Sequence, residues 1–162
     1  MTYIFDSSFE GLLCCVFNAF SRHEQPGLLQ RHDAPRSLFH DELNVITDGE
    51  QSDRVWNALM LKLSPGELNA LTTSFLCEDP GFDTSLFRLI CRIFTDGAAC
   101  MRDFSSPDTL AMLQNARRVN AEALPVLQFM RFQKAADGTD FGMMEPAYDV
   151  VPQAVEHFRD RF

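Results

Sequence analysis

The sequence predicts an α+β fold: a single domain over residues 1–162, dominated by helices, with a small antiparallel sheet packed against them. Three observations carry this. Apolar residues recur at helical spacing in several stretches, most of them opened by recognisable capping residues. Short segments rich in aromatic and β-branched residues stand at Thr2–Asp6 and Glu42–Thr47, and two more flank Asp137-Gly138. The length, 162 residues, suits one unit, and such a chain buries about 70% of its unfolded surface without needing a disulfide or metal.

In chain order, Thr2–Asp6 reads as a strand. Ser7 and Glu10 then form a capping box, and Phe9, Leu13, Val16, Phe17 and Phe20 make one face of a helix to about Arg22, with Cys14 on its flank. Between His23 and His40 the periodicity is lost; Pro26-Gly27 and Pro35 mark a loop, the segment predicted to be most mobile. Glu42–Thr47 regains strand character and can pair with the first strand. Asp48 and Gln51 cap a helix whose buried face is Trp56, Leu59, Met60 and Leu63. Ser64-Pro65-Gly66-Glu67 opens the next, with Leu68, Leu71 and Phe75 as its stripe. Asp83 is expected to cap a third, carrying Leu86, Leu89, Ile90, Ile93 and Phe94. Ser106-Pro107-Asp108 opens a fourth with Leu110, Leu113 and Ala116 inward and a kink expected near Pro125. Phe129–Lys134 and Phe141–Glu145 read as a hairpin about Ala136-Asp137-Gly138. A last helix, Asp149–Phe162, is expected to turn Val151, Val155 and Phe158 inward.

Hydrophobic content of 46% with 23% charged residues is globular composition. The formal charge of −9 repels phosphate backbones, so any nucleic-acid contact must be focused on a local basic face. The five cysteines are odd in number, two are adjacent, and none forms a Cys-x-x-Cys pair, which points to reduced thiols and a cytoplasmic setting. No secretory signal and no membrane span is read from the chain.

Standard machineries are missing. There is no phosphate-binding Gly-rich loop, no dinucleotide fingerprint, no zinc spacing and no Gly-x-Ser-x-Gly elbow, so neither a metal nor a cofactor is predicted. The polar groups that stand out lie in the last third. His157 suits proton transfer near neutral pH, or simply a hydrogen bond at a helix end; His23, His32 and His40 belong to the polar loop and are read as solvated. Glu145 and Asp149 can converge as two carboxylates; alternatively Glu145 neutralises Arg131 across the hairpin and Asp149 caps the final helix. Phe129, Arg131 and Gln133 on one strand face have the chemistry of a single-strand stacking platform. Arg117, Arg118 and Arg131 either form a basic groove or pair with neighbouring acids.

Taken together, Tyr3-Ile4-Phe5-Asp6-Ser7-Ser8-Phe9-Glu10-Gly11, Arg54-Val55-Trp56, Phe75-Leu76-Cys77-Glu78-Asp79-Pro80-Gly81 and Ala116-Arg117-Arg118-Val119 form a pattern across nearly the whole chain. With Phe129-Met130-Arg131-Phe132, Glu145-Pro146 and His157-Phe158-Arg159-Asp160-Arg161-Phe162, it resembles the bacterial probable DNA metabolism protein family, whose molecular function is unknown. The resemblance implies a setting: members are encoded beside a radical-SAM protein of DNA modification or repair, and a similar domain is fused to uracil-DNA-glycosylase-like domains. It implies an accessory or interaction protein with a radical-SAM partner and with single-stranded or damaged DNA. The binding face would centre on Arg117, Arg118, Phe129 and Arg131. The alternatives are a small enzyme acting on a base or nucleotide through Arg131, Glu145 and His157, or a protein-binding scaffold. Relatives carry glycine where Ser7 stands, and they continue past the position of Phe162 into a strand-rich tail, so a truncated form is expected.

Overall fold

A computed structural model describes residues 1–35, 41–79 and 81–159. His40, Pro80 and the end of the last helix from residue 160 onward lie outside the described residues. The fold is helix-dominated α+β, as the sequence predicts. Its elements are β1 (Thr2–Phe5), α1 (Phe9–Arg22), β2 (Leu28–Arg31), β3 (Glu42–Asn44), α2 (Gly49–Met60), α3 (Pro65–Phe75) and α4 (Phe82–Asp96). After a 3₁₀ turn at Ala98–Arg102 come α5 (Pro107–Phe129), β4 (Gln133–Lys134), β5 (Asp140–Phe141) and α6 (Val151–Arg159).

β1 is the centre of a three-stranded parallel sheet, ordered β2-β1-β3, with Thr2 opposite Leu28 on one side and Glu42 on the other. All four of its residues are buried, the pattern of a strand covered on both faces. The region read as a loop contains β2, and the pairing of β3 with β1 is parallel. The antiparallel sheet that the sequence predicts is the two-stranded β4–β5 hairpin. It closes at Gly138, whose φ of 87° suits glycine, with the Asp137 carboxylate accepting from the Thr139 amide.

The helix starts follow local chemistry. Ser64 and Glu67 make the reciprocal capping box, and the Asp48 carboxylate accepts from the Gln51 amide at 2.9 Å. At α1 the cap is Ser8, which accepts from Gly11, one residue later than predicted. Ser7 takes the left-handed φ of 69°, where a Cβ is strained and glycine is not. Gly81 precedes α4 without a side-chain cap, because the Asp83 carboxylate is turned to Arg31. Ser106 likewise accepts from Arg92 rather than from its own helix. α5 runs through Pro125 as one continuous helix; the amide that proline lacks would have bonded Ala121, which is exposed to water.

Several faces differ from their predicted stripes: Met60 of α2 and Phe20 at the end of α1 are exposed rather than buried. α5 buries Met112, Asn115, Ala116, Val119 and Ala123, while Leu110 is exposed. At α6, Ala154 and the preceding Val150 are buried while Val151 and Val155 are exposed, Val150 packing with Val119 and Ala123 of α5. The main core joins Tyr3, Phe5, Leu12 and Val16 to Leu59, Leu71, Phe87 and Met112. All five cysteines are free and buried, and burial lifts the Cys91 thiol to about 12, far from reactivity at neutral pH. No described helix is long and apolar enough to cross a membrane.

Candidate nucleic-acid interface

The chain beyond Ala116 folds back on α5 and α3. A second apolar cluster of Cys77, Val119, Ala123 and Val150, flanked by Leu76, Val126 and Tyr148, holds the start of α6 against α5. Polar contacts fix the same approach: the Ala147 amide donates to Glu122 at 2.9 Å, and Gln153 donates to Asn120 at 3.2 Å. Asp149 accepts from the Val151 amide at 3.2 Å, the capping role foreseen for it. At the far end, Phe132 meets Phe158 edge-on with centroids 4.9 Å apart, tying the hairpin to α6. Gly142 lets the return strand pass the chain before it: a Cβ there would lie 2.6 Å from the Met130 methyl and 3.3 Å from the Arg131 carbonyl.

On this frame Arg117 and Arg118 are exposed on α5. Arg118 donates to Asn115 at 3.4 Å and stands 4.0 Å from the Asp79 carboxylate. Phe129, 75% exposed, is the last residue of α5 rather than part of a strand. The predicted three-residue platform is therefore not a strand face: only Gln133 belongs to the hairpin ladder, and Arg131 lies in the connection before it. Arg118 and Phe129 are three turns apart on α5, hence about 20° apart in azimuth and roughly 17 Å along the axis. Glu145 is exposed in a shallow recess with Gly142, Met143 and Met144. His157 is exposed on α6 beside Phe158. No ion pair joins Glu145 to Arg131 among the described residues.

Ion pairing is commoner among the basic side chains before residue 117 than after it. Before it, Arg31, Arg88, Arg92 and Arg102 are ion-paired, whereas Arg22, Arg54 and Lys62 make no ion pair among the described residues, Arg54 lying over the Phe17 ring. From residue 117 onward only Arg118 is ion-paired among the described residues, leaving Arg117, Arg131, Lys134 and Arg159 outside any ion pair. Cationic charge not already neutralised is what a phosphate contact requires.

The carboxyl ends of the parallel strands, where open α/β sheets hold ligands, are a feature sequence reading missed. There the Arg31 guanidinium forks onto Asp83 at 2.8 and 2.9 Å, with Glu78 at 3.6 Å and the Phe75 ring 5.1 Å away. The Asp83 hydrogen bonds hold Arg31 even further above its usual range. A cavity of about 490 Å³ opens beside them. At the start of α1 the place an anion would take is filled by the chain's own Asp6, which accepts from the Ser8 amide at 3.0 Å and from Thr47 at 2.7 Å. Burial alone would push the Asp6 carboxyl up; the bonds from Ser8 and Thr47 outweigh it and hold it below the usual range. The only signal for β2 was Leu28-Leu29 directly after Pro26-Gly27, too short to show a period. Among the described residues no group of three or more His, Cys, Asp or Glu is placed to hold a metal ion.

Neither a curated protein nor a solved structure matches the chain. A family model described as a domain of unknown function, DUF4130, matches residues 80–162, the stretch that carries Arg117, Arg118, Phe129, Arg131, Glu145 and His157. With just over half of its length so matched, the chain belongs to the DUF4130 family, a domain of unknown function.

Proposed function

We propose that this chain is an accessory domain of DNA repair or modification that touches single-stranded or damaged DNA through its last third. The radical-SAM partner in this reading comes from the family resemblance. The observation that supports the contact itself is the company kept by the basic side chains. Arg117, Arg131, Lys134 and Arg159 make no ion pair among the described residues, and Phe129 stands three-quarters exposed two positions from Arg131. An exposed ring beside an unneutralised guanidinium suits a base stacked on one and a phosphate held by the other. With −9 charge overall, the acidic surface turns duplex and bulk polyanion away and confines contact to these particular side chains.

The test is fluorescence anisotropy at low ionic strength with single-stranded and uracil-containing oligonucleotides. Phe129→Ala removes the ring, and loss of one stacked base, about 1–3 kcal/mol, weakens binding roughly fivefold to a hundredfold. Arg131→Ala lowers the slope of log affinity against log salt by about 0.7, the share of one phosphate contact on a single strand. Absent binding, or binding indifferent to salt, defeats the proposal. Co-purification with the radical-SAM protein in the absence of DNA binding would favour the scaffold alternative.

A further inference from the structure

We propose a second recognition site: the groove between α1, α2 and α3, closed at one end by the start of α6, docks a basic peptide segment of a partner protein. Two adjoining recesses of about 240 and 270 Å³ share Phe9 and Thr72 as their common wall. Three rings floor them in a row. Phe9 meets Trp56 edge-on at 6.0 Å on one side and Phe75 at 5.4 Å on the other. The first recess ends at two carboxylates, Glu10 from the first turn of α1 and Asp53 from α2. Both are exposed, and neither enters an ion pair among the described residues. The second recess is bounded by Leu76, Pro152 and Gln153, so this wall carries no charge.

The occupant follows from this lining. Each recess is smaller than the ~300 Å³ at which pockets for whole small ligands begin, so each takes a side chain rather than a cofactor. Two carboxylates repel a nucleic-acid backbone, and a purely apolar guest would leave their charge unused. A guanidinium or ammonium whose stem crosses Trp56 satisfies both the ring faces and the carboxylates, while a neighbouring apolar side chain of the same segment fills the recess over Phe75. The groove's carboxylates are opposite in charge to Arg117, Arg131 and Lys134, and the two sites can serve different partners.

Trp56 is the sole tryptophan of the chain, so its emission reads the groove directly. The probe is a short blocked peptide of alternating leucine and arginine, titrated into the full chain beside its leucine–glutamate counterpart. The expected result is a saturable change in Trp56 emission with the arginine peptide, weakened by salt, and none with the glutamate peptide. Glu10→Gln with Asp53→Asn lowers affinity about tenfold, the scale of one partly desolvated charge contact. If that double variant does not keep its far-ultraviolet dichroism, Glu10→Gln alone is used. No saturable change, equal binding of the glutamate peptide, or unchanged affinity in the variant overturns the proposal. An emission change produced by raising protein concentration alone would assign the groove to a second copy of the chain, and would also overturn it. The oligonucleotide assay uses Phe129 and Arg131, so either reading can fail without the other.

Discussion

Removing the Asp83 carboxylate tests the architecture around the parallel sheet most directly. Asp83 is 4% exposed, and its two oxygens take both prongs of Arg31, whose own side chain is 18% exposed. Deleting one partner of a buried pair costs about 3–5 kcal/mol, because the other charge is left without compensation. Arg31 retains Glu78 at 3.6 Å and the Phe75 ring, which places Asp83→Ala at the lower end, about 3 kcal/mol. For a chain of this size that corresponds to a fall in Tm of roughly 6–12 °C. The cost belongs to the stranded guanidinium rather than to the worth of the bond. Replacing both partners, Arg31→Met with Asp83→Leu, therefore recovers most of the loss, short of about 0.3–1 kcal/mol for the missing acid in the first turn of α4. Urea unfolding followed by circular dichroism measures the parent, the single variant and the double variant. A double variant as unstable as Asp83→Ala, or a single variant within about 1 kcal/mol of the parent, refutes the reasoning.

Three further outcomes are expected. Tyr3 is fully buried and its hydroxyl has no hydrogen-bond partner among the described residues, so Tyr3→Phe should raise stability by about 1 kcal/mol; destabilisation in a thermal melt would show that the hydroxyl is in fact satisfied. Gly11 sits in the first turn of α1 with the Asp6 carboxylate and the Thr47 hydroxyl pressed where a Cβ would go. Gly11→Ala should therefore cost about 1–3 kcal/mol in place of the gain alanine gives in an open helix; any gain in Tm contradicts this. The Asp6 carboxyl is held below its unfolded pKa, so its contribution is fully present above the unfolded value and disappears as pH falls through the folded one. Thr47→Val removes one of the bonds that lower it, and acid unfolding should then begin at a higher pH; an unchanged acid midpoint would count against that role.

The candidate site was legible in its residue types more than in its shape. Arg117, Arg118, Phe129 and Arg131 could be named because arginines beside aromatics stand out in an acidic chain. Which of them are already neutralised depends on Asp79, brought up to Arg118 by folding. Phe129 was assigned to a strand because Phe129–Lys134 contains aromatic residues, yet α5 extends through it: the short local pattern could not outweigh a continuing helix. The α6 stripe differs from its expected one because Val119 and Ala123 of α5 take Val150 into their cluster, which turns Val151 and Val155 outward.

What the sequence alone determined are features closed within a few residues: the Ser64–Glu67 box, the Asp48 cap, the Asp137-Gly138 turn and the helical spacing of α4. Their hydrogen bonds span two to four positions, so local covalent geometry and side-chain chemistry suffice to place them. The tertiary structure decided the parallel direction of β1, β2 and β3, the forked pair between residues 52 apart, and the aromatic groove across three helices. A period of two does not say which way a neighbouring strand runs. Only the crossover of α1, and the burial it allows on both faces of β1, makes the parallel arrangement the one that hides the most apolar surface.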